Sequence, residues 1–343
     1  MAKIVHIMHI QKFIPFFIED TNNNFNNEEH LFCIVKTSNY QLYPDVVNKI
    51  KSYEYNNIFF VEEKKDFFIL ITKLYEAKKI ILHSIWLRFI INTLFLQPWL
   101  LKKSYWVMWG GDFNGKRNRY NPIKRFVIKY MGYYVTYIKG DYEYIKKYFN
   151  AKGTYIECFM YDSNLYHPIK LSPKTTSTVN IQVGNSGVAR NNHIEIFEKL
   201  KKFKEEDIKI FTPLGYGSES SKYSIIKAGR KIFGNKYEAQ LDFLPFEEYL
   251  KYLSNIDIAI FGNKSQQAMG TIISLLGLGV KVYIRSDITP WKTFKDLKLN
   301  IFDVEELDIT PLSKEDKLHN INIIKNHFSK ENYLKQLEDL FSE

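Results

Sequence analysis

A chain of 343 residues outgrows a single hydrophobic core, so two domains of roughly 150 residues each are expected. With 45% apolar and 16% aromatic residues and charges of both signs, the composition excludes disorder, and the solitary Cys33 and Cys158 exclude a disulfide framework and any Cys-x-x-Cys motif. The net charge of +10 gives the surface a preference for anions without choosing among nucleic acid, anionic lipid and phosphorylated substrates.

No secretory signal opens the sequence, because Lys3, His6 and His9 interrupt a short strand-like run and no small-residue cleavage site follows; a cytosolic address is expected. Short β-rich runs at 3–8, 31–36, 58–61, 79–83 and 104–109 alternate with segments such as 43–53 and 66–77 that carry apolar residues at helical spacing. A parallel sheet flanked by helices follows. The Asn-rich stretch 21–27 reads as a polar surface loop. The longest apolar run, 85–101, carries Arg88, Asn92, Gln97 and Pro98 and falls short of the about 20 residues that span a membrane. A buried helix is expected there, with a surface helix dipping into a bilayer as the alternative.

Basic residues crowd 116–129, interleaved with Tyr120, Phe126 and Tyr130, but no nucleic-acid module signature accompanies them and nucleic acid is not expected as a partner. The basic run 199–209 is interleaved with Glu205, Glu206 and Asp207, as on a solvated helix face. Apolar periodicity lapses at 171–178 around Pro173, which places the domain boundary there: 1–172, then 178–313, then a helical segment 314–343 expected to pack back on the first domain. A second α/β series has strand candidates at 179–183, 208–213, 239–241, 256–261 and 280–284. The expected fold class is therefore α/β, two doubly wound Rossmann-like domains in tandem.

Three turns in the second half follow strands. Gly184-Asn185-Ser186-Gly187 leads toward a helix from about Asn192, and its glycines, freed amides and the helix dipole suit a pyrophosphate. His193 is a phosphate donor or a packing residue; a plain turn capped by Asn192 would look the same. In Pro213-Leu214-Gly215-Tyr216, Tyr216 is placed to stack on a base or is simply a surface aromatic. Gln266 and Gln267 offer hydrogen bonds to sugar hydroxyls, with Gly270 and Thr271 opening the next helix. All three should emerge at the carboxyl edge of one sheet, where open α/β sheets bind ligands.

In the first half, Trp109-Gly110-Gly111-Asp112 ends a strand. Asp112 is placed as a general base for a hydroxyl, with His83 competing for that role; either residue is equally well a cap or a packed side chain. The segment Gly110 to Arg117 approaches the Walker A spacing, but Arg117 stands where the magnesium-binding hydroxyl belongs. Neither Asp-x-Asp, His-Glu-x-x-His nor Gly-x-Ser-x-Gly occurs, so metal-independent chemistry is favoured.

At the three second-half turns the sequence resembles the bacterial 4-acetamido-4,6-dideoxygalactose (Fuc4NAc) transferases, which complete the lipid-linked trisaccharide of enterobacterial common antigen. The likeness rests on Val183-Gly-Asn-Ser-Gly187, Asn192-His193-Ile194, Pro213-Leu-Gly-Tyr216 and Gln266-Gln267 ahead of Gly270-Thr271, extends to Trp109-Gly-Gly-Asp112 and Gly140-Asp141, and covers roughly 80–295. Ala268-Met269 and Val188 depart from the pattern.

The resemblance implies a GT-B fold with a cleft between the two domains and a dTDP-sugar donor held mainly by the second. It implies an undecaprenyl-diphosphate-linked glycan acceptor of an O-antigen, common-antigen or capsule pathway at the inner face of the inner membrane. Donor contacts are expected at Gly184, Asn185, Ser186, Gly187, His193, Gly215, Tyr216, Gln266, Gln267, Gly270 and Thr271. Acceptor contacts are expected at Trp109, Gly111 and Arg117, and the base at Asp112, His83 or Asp141. No cofactor is expected beyond the sugar nucleotide, and the basic first-half surface should favour an anionic membrane. A non-catalytic nucleotide- or glycan-binding protein is the competing expectation.

Overall fold

The computed structural model describes residues 3–168, 177–242 and 244–342, apart from the side chains of Lys116, Arg117 and Phe246. It forms two compact units, Met1–Ser163 with Lys330–Glu343, and Asn164–Ser329. The expected break at 171–178 lies mostly outside the described residues.

The first unit is built on β1 (Ile4–His9), β2 (His30–Val35), β3 (Ile58–Val61), β4 (Lys79–His83), β5 (Ser104–Val107), β6 (Tyr133–Val135) and β7 (Thr154–Ile156). They form one parallel sheet in the order β3-β2-β1-β4-β5-β6-β7. Every residue of β1 is buried, as a parallel strand covered on both faces requires. Right-handed crossovers put the helices Lys64–Glu76, Arg88–Leu96 and Pro122–Tyr130 on one face, over Val5, Ile7, Cys33, Leu82, Trp106 and Tyr134. The helix Ile14–Asn24 covers the other face, where His6 lies against Phe17 and Phe32. The last helix, Lys330–Ser342, belongs to this unit: Lys330 pairs with Asp20 and Asp162, and Gln336 accepts the Phe159 amide. Its buried Tyr333, Leu337 and Leu340 contribute about 1.5–3 kcal/mol each through lost apolar exposure.

The second unit holds β8 (Val179–Val183), β9 (Ile208–Pro213), β10 (Tyr237–Gln240), β11 (Ile258–Phe261), β12 (Lys281–Ile284) and β13 (Ile301–Asp303). Its parallel order, β10-β9-β8-β11-β12-β13, reverses direction between β8 and β11. The crevice of a doubly wound sheet opens there, at the carboxyl ends of those two strands.

Several expectations are corrected. The stretch 21–27 is not all loop: the helix Ile14–Asn24 runs into it, because Thr21 is buried and donates to the Phe17 carbonyl (2.8 Å) while Asn24 donates to Asp20 O (2.8 Å). β6, β7 and β13 escaped detection because three residues each are too few to show a period. The apolar run 85–101 forms only the helix Arg88–Leu96 before a tight 3-10 turn at Pro98–Lys103, and among the described residues no helix is long and apolar enough to cross a membrane. The final segment is two helices, Lys314–His327 and Lys330–Ser342, not one, and the two belong to different units.

Candidate active site

In the second unit the loop after β8 is folded around Asn191, which is fully buried. Its Oδ1 accepts the Asn185 amide (3.0 Å), and its Nδ2 donates to Ser186 Oγ (3.1 Å) and Val188 O (3.2 Å). Gly184 adopts φ +68°, and a Cβ there would lie 2.5 Å from His193 Nε2, so glycine is what permits the imidazole to approach the turn. The Gly184 amide donates to Ile260 O and the Gly187 amide to Tyr216 O. Of the four amides from Gly184 to Gly187, only that of Ser186 is without an internal partner among the described residues. The expectation of several freed amides is thus corrected to one, because the turn uses the others to hold its own shape.

His193 opens the helix His193–Leu200. Its ring is 2% exposed, and neither nitrogen has a hydrogen-bond partner among the described residues. Burial pushes its pKa down to about 4, so the ring is neutral and carries one N–H donor at physiological pH. A buried polar group left unpaired costs roughly 1–3 kcal/mol, which a ligand oxygen at the ring would relieve.

The other two turns converge on this one. Gly217, at φ +128°, packs so closely on Gly187 that a Cβ would lie 2.4 Å from the Gly187 carbonyl carbon. Tyr216, half-exposed, brings its hydroxyl within 3.4 Å of Asn185 Nδ2, and Gly215 precedes it in the same turn. Asn192, also at positive φ, donates from Nδ2 to Gly262 O (2.7 Å), tying the helix start to the loop after β11 rather than capping its own helix. In that loop Asn263 donates to Gln267 Oε1 (2.6 Å), while Asn263 Oδ1 and Gln266 Oε1 are buried without partners. Ala268 at φ +57° starts the helix Met269–Gly277, with Gly270 and Thr271 in its first turn as expected and Thr271 Oγ1 3.0 Å from Tyr249 OH.

In the first unit Asp112 is fully buried. Its Oδ2 accepts from Trp106 Nε1 (2.9 Å), the Ile85 amide (3.2 Å) and the Trp109 amide (3.3 Å), while Oδ1 has no partner among the described residues. Burial raises its pKa to about 6 against the opposing pull of Lys124 and these donors. His83 is buried in a different arrangement, with Nδ1 2.7 Å from Tyr161 OH and Nε2 3.2 Å from His6 Nδ1. Asp141 lies in the first turn of the helix Lys139–Phe149, with its amide bonded to Ile138 O. Trp109 contacts the rings of His9, Phe13 and Tyr161, Gly111 lies against Trp86, and the Arg117 side chain is outside the described residues.

Sequence reasoning missed His9, which closes β1 at the carboxyl edge of the sheet. Its Nδ1 has no partner among the described residues, and burial pushes its pKa down to about 4. The signal was present, since a polar residue ending a central strand is a usual site position. Asn191 and Asn263 were missed because short polar residues in loops give no periodic signal.

A family model described as 4-alpha-L-fucosyltransferase, glycosyl transferase group 56, matches residues 1–343. The chain belongs to that family. As a group 56 glycosyltransferase it is an enzyme, and the resemblance carried by the three second-half turns is borne out at the level of family. A Rickettsia africae glycosyltransferase is 12% identical with TM-score 0.69, the match covering 99% of this chain and 98% of that one. An E. coli trehalose-6-phosphate protein bound with UDP-2-fluoro glucose is 9% identical with TM-score 0.63, covering 99% and 98%. A UDP-forming α,α-trehalose-phosphate synthase from Burkholderia xenovorans is 6% identical with TM-score 0.63, covering 100% and 98%. At these identities the likeness shows the fold, and the fold of this group 56 transferase is GT-B.

Proposed function

We propose that this transferase moves a 4-amino-4,6-dideoxyhexose of the Fuc4NAc type from a dTDP-linked donor to an undecaprenyl-diphosphate-linked glycan, without a metal, at the inner face of the bacterial inner membrane. The observation that carries the donor half is His193: a neutral, buried imidazole with no partner among the described residues, set beside Gly184 and the unbonded Ser186 amide at a helix start. Those groups match the oxygens of a diphosphate leaving group. Tyr216 takes the base, and Gln266, Gln267 and Thr271 take the sugar. The bound UDP-2-fluoro glucose of the E. coli relative supports a nucleotide-sugar reading.

Asp112 serves as the base in this reading. Its pKa of about 6 and unpartnered Oδ1 fit a carboxylate that must accept a proton near neutrality. In the same reading Trp109, Gly111 and Arg117 take the acceptor, and His83 and Asp141 are the alternative bases.

The membrane half rests on the helical face of the first unit. Phe68 (73% exposed), Leu96 (72%), Trp86 (61%) and Trp99 (54%) are all on its connections. From Arg88 to Lys139 the sequence has ten basic residues and one acidic residue, Asp112, which is buried; this stretch holds nine of the chain's ten net positive charges. Exposed apolar and aromatic side chains beside a stretch rich in cations suit an anionic bilayer surface.

A transfer assay tests the reading, with dTDP-Fuc4NAc and a lipid-linked disaccharide acceptor in vesicles, in the presence of EDTA. Product formation unaffected by chelator and reduced at least about 100-fold by Asp112→Asn is expected. Transfer only from UDP- or GDP-sugars would overturn the donor assignment, and loss of transfer with EDTA would overturn the metal-free one.

A further inference from the structure

Three histidines run in series through the core of the first unit. His30 Nδ1 lies 2.9 Å from His6 Nε2, His6 Nδ1 lies 3.2 Å from His83 Nε2, and His83 Nδ1 lies 2.7 Å from Tyr161 OH. All four side chains are at most 5% exposed, and the string is walled by Phe17, Phe32 and Phe341. An apolar core of this kind normally admits polar groups only when they pair, and packing alone would be served by more phenylalanine. His6 and His83 each have a neighbour on both ring nitrogens, and His30 has one on Nδ1.

The string also connects two different places. His83 ends β4 at the carboxyl edge, and Tyr161 contacts the ring of Trp109, whose amide donates to Asp112. His30 begins β2 at the amino edge and lines a cavity of about 500 Å³ with Glu28, Glu54, Glu76 and Lys73. The length of the strands separates these ends, and the histidines run along one face of the sheet from one to the other.

We propose that Tyr161, His83, His6 and His30 form a proton path that discharges the acceptor's proton from the Asp112 edge of the sheet to the cavity beside His30. This rests on the reading of Asp112 as the base. As the acceptor oxygen bonds the sugar and the sugar–phosphate bond breaks, the hydroxyl proton passes to Asp112. Water at the carboxyl edge takes the proton that Asp112 releases and delivers one to Tyr161 OH, while Tyr161 gives its own to His83 Nδ1. His83 then passes Nε2–H to His6 Nδ1, His6 passes Nε2–H to His30 Nδ1, and His30 passes Nε2–H to water or a carboxylate in the cavity. Each ring gains one proton and loses one, so no charge stays in the core, and the carboxylate is restored. Burial holds all three rings well below their ordinary pKa, which suits neutral carriers.

Two measurements on the full chain test this. The first needs no substrate: in ¹⁵N spectra of histidine-labelled protein, Tyr161→Phe should shift the ring nitrogens of His83, His6 and His30 together, since tautomers along a coupled string change as one. A change confined to His83 would overturn the path. The second uses transfer from dTDP-Fuc4NAc. His6→Phe should lower kcat about 10- to 100-fold with the donor KM unchanged, and His6→Gly should recover turnover with added imidazole but not with pyrrole, which fills the same space without an accepting nitrogen. Wild-type kcat in folded His6→Phe, or equal rescue by pyrrole, would leave the histidines a packing role only. Absence of turnover by the wild-type protein would count against the dTDP donor and leave the spectra to decide the path.

Discussion

The close approach of Gly217 to Gly187 is what brings the turns after β8 and β9 together, and replacing one hydrogen at Gly217 tests it. In Gly217→Ala the new methyl must meet Gly187 C at 2.4 Å and Gly187 O at 2.6 Å, both rigid backbone, at a φ of +128° that side chains avoid. Backbone strain of about 1–3 kcal/mol adds to the loss of the Gly187–Tyr216 bond, worth about 1 kcal/mol, for a total of about 3 kcal/mol. Gly234→Ala is the matched control: φ is +57°, but nothing lies within 4 Å of the added Cβ. Its strain at φ +57° and ψ −123°, about 1–3 kcal/mol, is offset by about 0.4–1 kcal/mol from a less flexible unfolded chain, and it carries neither the backbone collision nor the lost hydrogen bond. With a urea dependence near 2 kcal/mol per M, the unfolding midpoint of the second unit should fall by about 1.5 M in Gly217→Ala and by less in Gly234→Ala. Nucleotide affinity should be lost only in the former. Equal midpoints and equal affinities for the two variants would refute the convergence of the turns.

Acid should unfold the first unit before the second. Burial depresses His9 and His30 to about 4, His83 to about 3 and His6 in the same direction. The unfolded chain therefore takes up protons first as pH falls below 6.5, and stability present above about pH 7 is lost toward pH 4, by at most about 1.4 kcal/mol per pH unit for each ring. Four of the five tryptophans, Trp86, Trp99, Trp106 and Trp109, lie in this unit, so intrinsic fluorescence reports it, and a flat signal to pH 4.5 would contradict the expectation. Asp112 works in the opposite sense: its raised pKa favours the fold at low pH, with that contribution lost as pH rises through about 6. Urea midpoints of wild type and Asp112→Asn should accordingly diverge between pH 4 and 7, and parallel curves would show that the carboxylate is not penalised by burial. His193→Phe should weaken nucleotide binding about 10-fold or more, the loss of one hydrogen bond to a charged group, with little change in thermal midpoint. Phe68→Ser combined with Leu96→Ser should leave stability nearly unchanged, since both are exposed, yet release the protein from anionic vesicles in flotation; undiminished binding would place the membrane face elsewhere.

Much of the fold was legible because parallel strands announce themselves as apolar runs: β1, β4, β8 and β9 were readable from Ile, Val and Leu alone. The three-residue strands were not, because β6, Tyr133–Val135, is defined by its neighbours β5 and β7 and not by any pattern of its own. In the candidate site, the glycines were legible as points of close approach, and Gly184, Gly187 and Gly217 do lie where a Cβ would collide. Which atoms they approach was not. That Asn191 shapes the turn, that Gly187 spends its amide on Tyr216, and that His83 joins His6 and His30 are consequences of pairing between segments 24 to 77 residues apart in sequence or of loop geometry. Nothing local encodes them. The helix ending in Asn24 shows the converse: local composition argued for a loop, and burial of Thr21 against the sheet decided otherwise.

The most direct test of the account is calorimetric titration of the metal-free protein with dTDP, UDP, GDP and ADP, repeated on His193→Phe. Binding of dTDP above the other three, weakened by the substitution, is the predicted result; no binding of any nucleotide, or binding that His193→Phe leaves untouched, would contradict it.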